Sequence, residues 1–145
     1  MKVRTSIIAV GAAAVLGTTG ALVVPAVASA HSAATTLTFT AVQKATVSLG
    51  KTAEGIQDTD VNTAGKTVGF DELYVAFTSA GSGAANVTVD TKGGFLYGTF
   101  SISTSGAITN GKVTGGTGAF KGATGTIKVK TISNTKHTVT ITYSG

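Results

Sequence analysis

The stretch GGTGAFKGATGT, Gly115 to Thr126, decides the fold class. Four of its glycines, Gly116, Gly118, Gly122 and Gly125, flank a single aromatic residue, Phe120. Glycines at this spacing either cradle a phosphate where a strand runs into a helix, or make room where a sheet bends sharply. The phosphate reading needs a helix after the glycines. GTGAFKG gives G-x-G-x-x-x-G, one residue off the dinucleotide fingerprint, and the TIKVKTI that follows (Thr126 to Ile132) alternates as a strand. GAITNGKV, Gly106 to Val113, comes nearer to a nucleotide P-loop, but Val113 stands where the magnesium-binding Ser or Thr belongs and no helical pattern follows. The glycine run therefore reads as a sheet corner, and nucleotide binding is not expected.

Outward from that corner the chain alternates with period two. Leu37, Phe39 and Ala41 alternate with Thr38 and Thr40, and Leu73, Val75 and Phe77 with Tyr74, Ala76 and Thr78. Val87 and Val89 flank Thr88. Leu96, Phe100 and Ile102 share a face with Gly98, Ile127 and Val129 alternate with lysines, and Val139, Ile141 and Tyr143 alternate with threonines. Threonine suits a pleated surface and disfavours helix. Turn signals fall at Gly50, Gly65, Ser79 to Gly83, Lys92 to Gly94, Thr104 to Gly106, Gly115 to Gly118 and Ser133 to Lys136. The expectation is an all-β domain of seven or eight antiparallel strands. A sheet of that size with one apolar face must close on itself or pack on a second sheet. A closed antiparallel β-barrel of about eight strands is the first choice, a β-sandwich the second.

The first thirty residues read as an export signal. Lys2 and Arg4 form a basic start, Ile7 to Val24 supply the apolar run, and Ala28 and Ala30 occupy small-residue cleavage positions. Cleavage after Ala30 leaves one domain, residues 31–145, with no membrane span. The absence of cysteine excludes disulfides and a lipid-attachment thiol, so a core alone must hold an extracellular domain together. The short signal and lack of cysteine suggest a bacterial source. In the mature chain nine lysines face six acids, a net charge of +3. The lysines are scattered and no arginine is present to read phosphate bidentately, so nucleic acid is not an expected partner.

At this point three segments become recognisable. ITNGKVTGGTGAFKGATGTIKVKTI (Ile108 to Ile132) resembles the glycine-rich strand connection of plant allene oxide cyclases, and dirigent proteins carry a related Gly-Gly-Thr-Gly-x-Phe run. GKTVGFDELY (Gly65 to Tyr74) is similar to an earlier strand of the cyclases, and GGFLYGTFSIS (Gly93 to Ser103) to the strand before the glycine run in both families. The resemblance covers about residues 65–145. It implies an eight-stranded antiparallel barrel with an apolar cavity, commonly trimeric, and hence a small hydrophobic molecule as partner. The threonine-rich exterior gives no apolar outer face to demand a homo-oligomer. The cyclases' catalytic glutamate, asparagine and Ser-Pro pair have no match in LTFTAVQKATVSLG, Leu37 to Gly50. Dirigent proteins work with acidic and arginine residues, and the mature chain has no arginine.

One pocket position of the resemblance transfers, to Asp71 and Glu72. Strand neighbours face opposite sides, so only one of these carboxyls can point inward, where desolvation would raise its pKa and suit it to acid or base work. Solvation of both at a barrel rim is the plainer account. Phe39, Phe77, Tyr74, Tyr97 and Tyr143 are candidates for lining a ligand. No cofactor is expected. Metal candidates are His31, as a new N-terminus, paired with His137 in a copper brace, and Asp58, Asp60 and Asn62 at calcium-loop spacing. The calcium pattern lacks its glycine at Thr63 and its closing glutamate at Gly69, and an Asx-rich turn explains the same residues. The sequence thus points to a secreted barrel that binds a small hydrophobic molecule. The alternatives are an isomerase or cyclase using Asp71 or Glu72, and a non-catalytic surface protein with a filled barrel. Protein recovered from the culture medium should begin at His31; N-terminal sequencing that returns Met1, or recovery only from the cytoplasm, would refute the export reading.

Overall fold

The computed structural model describes residues 33–105 and 107–145. The predicted export signal and His31 lie outside the described residues. Eight strands run in chain order: β1 Thr35–Ser48, β2 Ala53–Val61, β3 Thr67–Phe77, β4 Gly83–Thr91, β5 Gly94–Ile102, β6 Gly111–Gly116, β7 Thr124–Ser133 and β8 Lys136–Ser144. Each pairs antiparallel with the next, and β1 closes the ring onto β8 through pairs such as Phe39 with Val139 and Leu37 with Ile141. The barrel is therefore the outcome, not the sandwich. Every connection falls at a predicted turn signal. At one of them, the β2–β3 turn, the Asn62 side-chain oxygen accepts from the Ala64 and Lys66 amides, each at 3.0 Å, which fixes an Asx-type turn.

The period-two faces come out as read. Phe39, Ala41, Val75, Val87, Val89, Leu96, Phe100, Ile127, Val139 and Ile141 are buried inside the ring, with Leu37, Leu73, Phe77, Ile102, Val129 and Tyr143 packed against them. The outside differs from the expectation. Val68, Phe70 and Tyr74 on β3 and Phe95 and Tyr97 on β5 are exposed, and Phe70 and Phe95 both pair with Asp90 of the intervening β4. Counting threonines missed this apolar strip because it draws one face from strands that are not consecutive.

The glycine run closes one end of the barrel. After β6 the chain makes a single 3₁₀ turn, Gly118–Phe120, before β7 begins. That turn inserts Phe120 into the core, where its ring meets Tyr143 edge to face with centroids 5.4 Å apart. A side chain at Gly116 would put its Cβ 2.5 Å from the Phe120 Cβ and 2.6 Å from the Phe95 carbonyl oxygen, so glycine is the residue that lets Phe120 in. The run is stitched to the β4–β5 turn by Thr117 N–H to the Phe95 carbonyl (2.8 Å) and Ala119 N–H to the Gly93 carbonyl (2.9 Å). It is a sheet corner that also acts as a plug.

Gly98 does the comparable work in mid-barrel. It lies at an irregularity in the β5–β6 pairing, and a Cβ there would run into Ile127 Cδ1 and come within 3.0 Å of the Lys112 carbonyl oxygen. The absent side chain lets a fully buried Ile127 cross the interior. Gly98→Ala should therefore destabilise the fold by about 1–3 kcal/mol through overpacking. Combining it with Ile127→Val, which deletes the clashing methyl, should give a double variant less destabilised than the two single costs added together, as measured by urea denaturation. Strict additivity would mean that the two positions do not meet.

Candidate functional site

The plugged end leaves the interior accessible from the other, where β1 turns into β2, β3 into β4, β5 into β6 and β7 into β8. A cavity of about 90 Å³ lies on that side. Its wall is largely aliphatic, with Leu73, Val75, Val87, Val89, Val129 and Val139 among the lining residues. The polar groups on it are Gln43, Asp58, Asp71 and His137.

The strand register explains how the acids come to be there. On β2 the alternation that turns Ile56 inward turns Asp58 and Asp60 inward as well. Asp58 pairs across to Asp71 on β3 and, on its other side, to Gln43 on β1. Asp60 pairs with Gly69 and Ala41. Directly paired residues have Cβ atoms about 4.5–5.5 Å apart, so Asp58 and Asp71 share one patch of wall, with Asp60 behind it. The three are 5%, 1% and 3% exposed for Asp58, Asp60 and Asp71.

Among the described residues lining the cavity there is no lysine or arginine to compensate them. Asp58 Oδ1, Asp71 Oδ1 and both carboxyl oxygens of Asp60 are buried without a protein N–H or hydroxyl donor, and His137 Nδ1 is buried without a hydrogen-bond partner. Burying a carboxylate in apolar surroundings favours its neutral form. Desolvation accordingly pushes Asp58 up to about 6. Asp60 is raised by desolvation against the lowering effect of its hydrogen bond with Asp71, with repulsion from Asp58 adding to the rise. Asp71 is raised furthest, to about 9, by desolvation and then by repulsion from Asp60 and Asp58. A proton on Asp71 also turns its contact with Asp60 into a hydrogen bond, which two carboxylates cannot make. Burial lowers His137, so its ring favours the neutral form. The site thus holds protons near neutrality in a mostly apolar environment, a setting in which a carboxyl can both donate and accept.

The residues singled out in the sequence are distributed unevenly around this site. Asp71 points inward and lines the cavity, while its neighbour Glu72 faces out and is exposed. Tyr74 and Tyr97 also face out, 48% and 38% exposed. Phe39 is buried in the core, Phe77 packs at its margin, and Tyr143 belongs to the plug; none of these five aromatic residues is on the cavity wall. Asp58 and Asp60 are strand residues facing the interior and Asn62 is the turn cap, so this trio forms no calcium loop. Among the described residues no group of three or more His, Cys, Asp or Glu side chains is placed to hold a metal ion. The cavity role of Asp58, and the inward burial of Asp60 behind it, were missed in the sequence because DTDVN was read as a turn. Reading IQDTDV as a strand, with Ile56, Asp58 and Asp60 on one face, would have found it.

These raised values set the direction of the pH dependence. The stability associated with a carboxyl raised on folding is fully present below its ordinary value near 3.8 and is lost as pH climbs through the folded value, here about 6 for Asp58 and about 9 for Asp71. His137 works the other way, its share being lost as pH falls below its ordinary 6.5. Urea denaturation at pH 5, 7 and 9 should therefore show stability declining toward pH 9. Asp71→Asn should flatten the decline and at pH 9 be more stable than the parent by on the order of 1–2 kcal/mol, one pKa unit corresponding to about 1.4 kcal/mol. A parent whose stability rises over this range would contradict the buried cluster.

No protein-family model and no curated protein matches this sequence. Among solved structures, the chain is similar to pyocyanin demethylase, with a TM-score of 0.59 and 18% sequence identity over 75% of this chain and 99% of that one. At that identity the likeness is one of fold, and the fold it supports is the closed eight-stranded barrel described above.

Proposed function

We propose that this protein is a secreted barrel of the allene oxide cyclase and dirigent kind that binds a small, mostly apolar molecule in its interior. The observation that carries this reading is the one-ended cavity, aliphatic on most of its wall and bearing Asp58 and Asp71 on one patch. Ligand sites combine an apolar lining with a few convergent polar groups in this way. An interior serving structure alone gains nothing from unpaired carboxyls, which oppose folding wherever they ionise. The similar solved structure is named for its action on one small molecule, pyocyanin, which agrees with small-molecule handling in a barrel of this shape. The volume of about 90 Å³ is well under the roughly 300–1,000 Å³ of drug-sized sites, so the buried part of the ligand is short and any remainder extends through the open end.

A second reading, an isomerase or cyclase, is favoured by one feature. Asp71 is an inward, desolvated carboxyl that is protonated at neutral pH, beside Asp58, which is largely ionised there. Such a pair can deliver a proton at one point of a bound molecule and remove one at another.

Native mass spectrometry of protein purified from its own culture medium tests the binding proposal. The expected result is a species heavier than the polypeptide by one small molecule, lost on denaturation. Only the bare polypeptide mass, together with no change in the methyl NMR signals of Val87 and Val89 on adding short-chain apolar probes, would overturn it.

A further inference from the structure

We infer that the cavity prefers an organic cation, a short primary alkylammonium whose nitrogen bridges Asp58 and Asp71 while its carbons lie against Leu73, Val75, Val87 and Val89. This inference rests on the binding reading above and narrows it to a substrate class.

Three observations converge on it. The first is what the two acids lack. Asp58 Oδ1 and Asp71 Oδ1 are buried without a donor on the cavity wall, and neither side chain is more than 5% exposed. An ammonium group brings three N–H donors and no acceptor, so one nitrogen can satisfy both oxygens. A carboxylate ligand would add a further like charge.

The second is what surrounds them. On β1 the neighbours are Ala41 and Gln43, and on β4 the residue paired with Asp71 is Val89. From β8 comes His137, whose ring favours its neutral form, and on β2 and β3 themselves the other inward acid is Asp60. No lysine is among the residues lining the cavity. Among the described residues lining the cavity, no cation therefore competes with the ligand for the negative charge, and the low-dielectric wall strengthens the attraction.

The third is size and direction. At about 90 Å³ the cavity admits only a short chain before the ligand reaches the open end. The acids sit on one side of an otherwise aliphatic space, which orients the nitrogen toward β2 and β3 and the carbons across the barrel. Cation binding favours the ionised carboxyls and must therefore expel protons from them. Because Asp58 ionises near 6 and Asp71 near 9, affinity for the cation should rise with pH between these values.

The test compares n-propylammonium, 1-propanol and propionate on the exported protein. Binding is followed by the methyl NMR signals of the cavity valines, and by calorimetry in two buffers of different ionisation enthalpy. The expected result is propylammonium binding at least tenfold tighter than propanol at pH 8, no binding of propionate, and proton release on cation binding that is absent with the alcohol. Affinity for the cation should fall at least fivefold from pH 8 to pH 5.5. Asp58→Asn should weaken propylammonium at least tenfold, and Asp71→Gly serves as a second variant. The pH and proton-release measurements on the parent carry the test if either variant fails to fold. Propanol binding as tightly as propylammonium would overturn the cation preference and leave the cavity reading standing. No response to any of the three compounds would overturn the cation preference, and, joined with only the bare polypeptide mass from the culture medium, the binding reading as well.

Discussion

Closure of β1 onto β8 is the constraint on which everything else depends. With the ring shut, each strand has one face toward solvent and one toward a common interior, and no residue can change sides without a register slip that would turn its whole strand over. Eight strands enclose just enough space for their inward side chains to fill, or for those side chains to leave room for one small ligand. Which of these holds depends on the sizes of a few inward residues. Here Gly98 is small enough to let Ile127 lie across the middle, and Ala41 on β1 and Ala85 on β4 are also small inward residues. Phe120 fills one end. The space that remains is therefore displaced toward the other end.

The same constraint explains the carboxyls. Asp58, Asp60 and Asp71 occupy positions that alternation sends inward, so the barrel cannot form without taking them out of water. The described chain has no cysteine to brace it, and its stability comes from a modest aliphatic core. Keeping three acids without a counter-charge in such a core works against folding wherever they ionise, and replacing buried ionic groups by apolar ones commonly leaves a protein as stable or more so. Breaches of local rules of this kind concentrate at functional sites. Asp58 and Asp71, which line the cavity, are better understood as belonging to it than to the fold.

The legible and illegible parts of this molecule divide along the same physical line. Strand alternation and turn chemistry are local, and the sequence carried both: the inward faces of β1, β3 to β5, β7 and β8 and every turn could be read from it, as could the meaning of the glycine run around Phe120. That only one of Asp71 and Glu72 faces the interior was also legible, since alternation requires it. What escaped was pairing between strands. The match of Asp58 with Asp71 depends on register across the β2–β3 turn, and the exposed strip of Phe70, Tyr74, Phe95 and Tyr97 depends on β4 lying between β3 and β5. Tyr74 and Tyr97 attracted attention as aromatics, yet each stands one residue from an inward position, Leu73 or Leu96. In a strand that single step separates the cavity from the outer wall.

The plug and the acid patch belong to one arrangement. Phe120 enters the core only because Gly116 lacks a side chain, and its contact with Tyr143 ties the plug to the last strand. Sealing that end leaves the cavity a single approach, so a molecule entering from the other end passes Gln43, Ile56, Ile102 and Ile108 along an interior already lined with aliphatic groups. The electrostatic influence of Asp58 and Asp71 is screened less in that largely aliphatic space than at a surface. A barrel open at both ends would let solvent through to hydrate the acids, return their pKa values toward 3.8 and erase the chemical distinction of the patch. The glycine-rich corner thus sustains the electrostatics of carboxyls it does not touch.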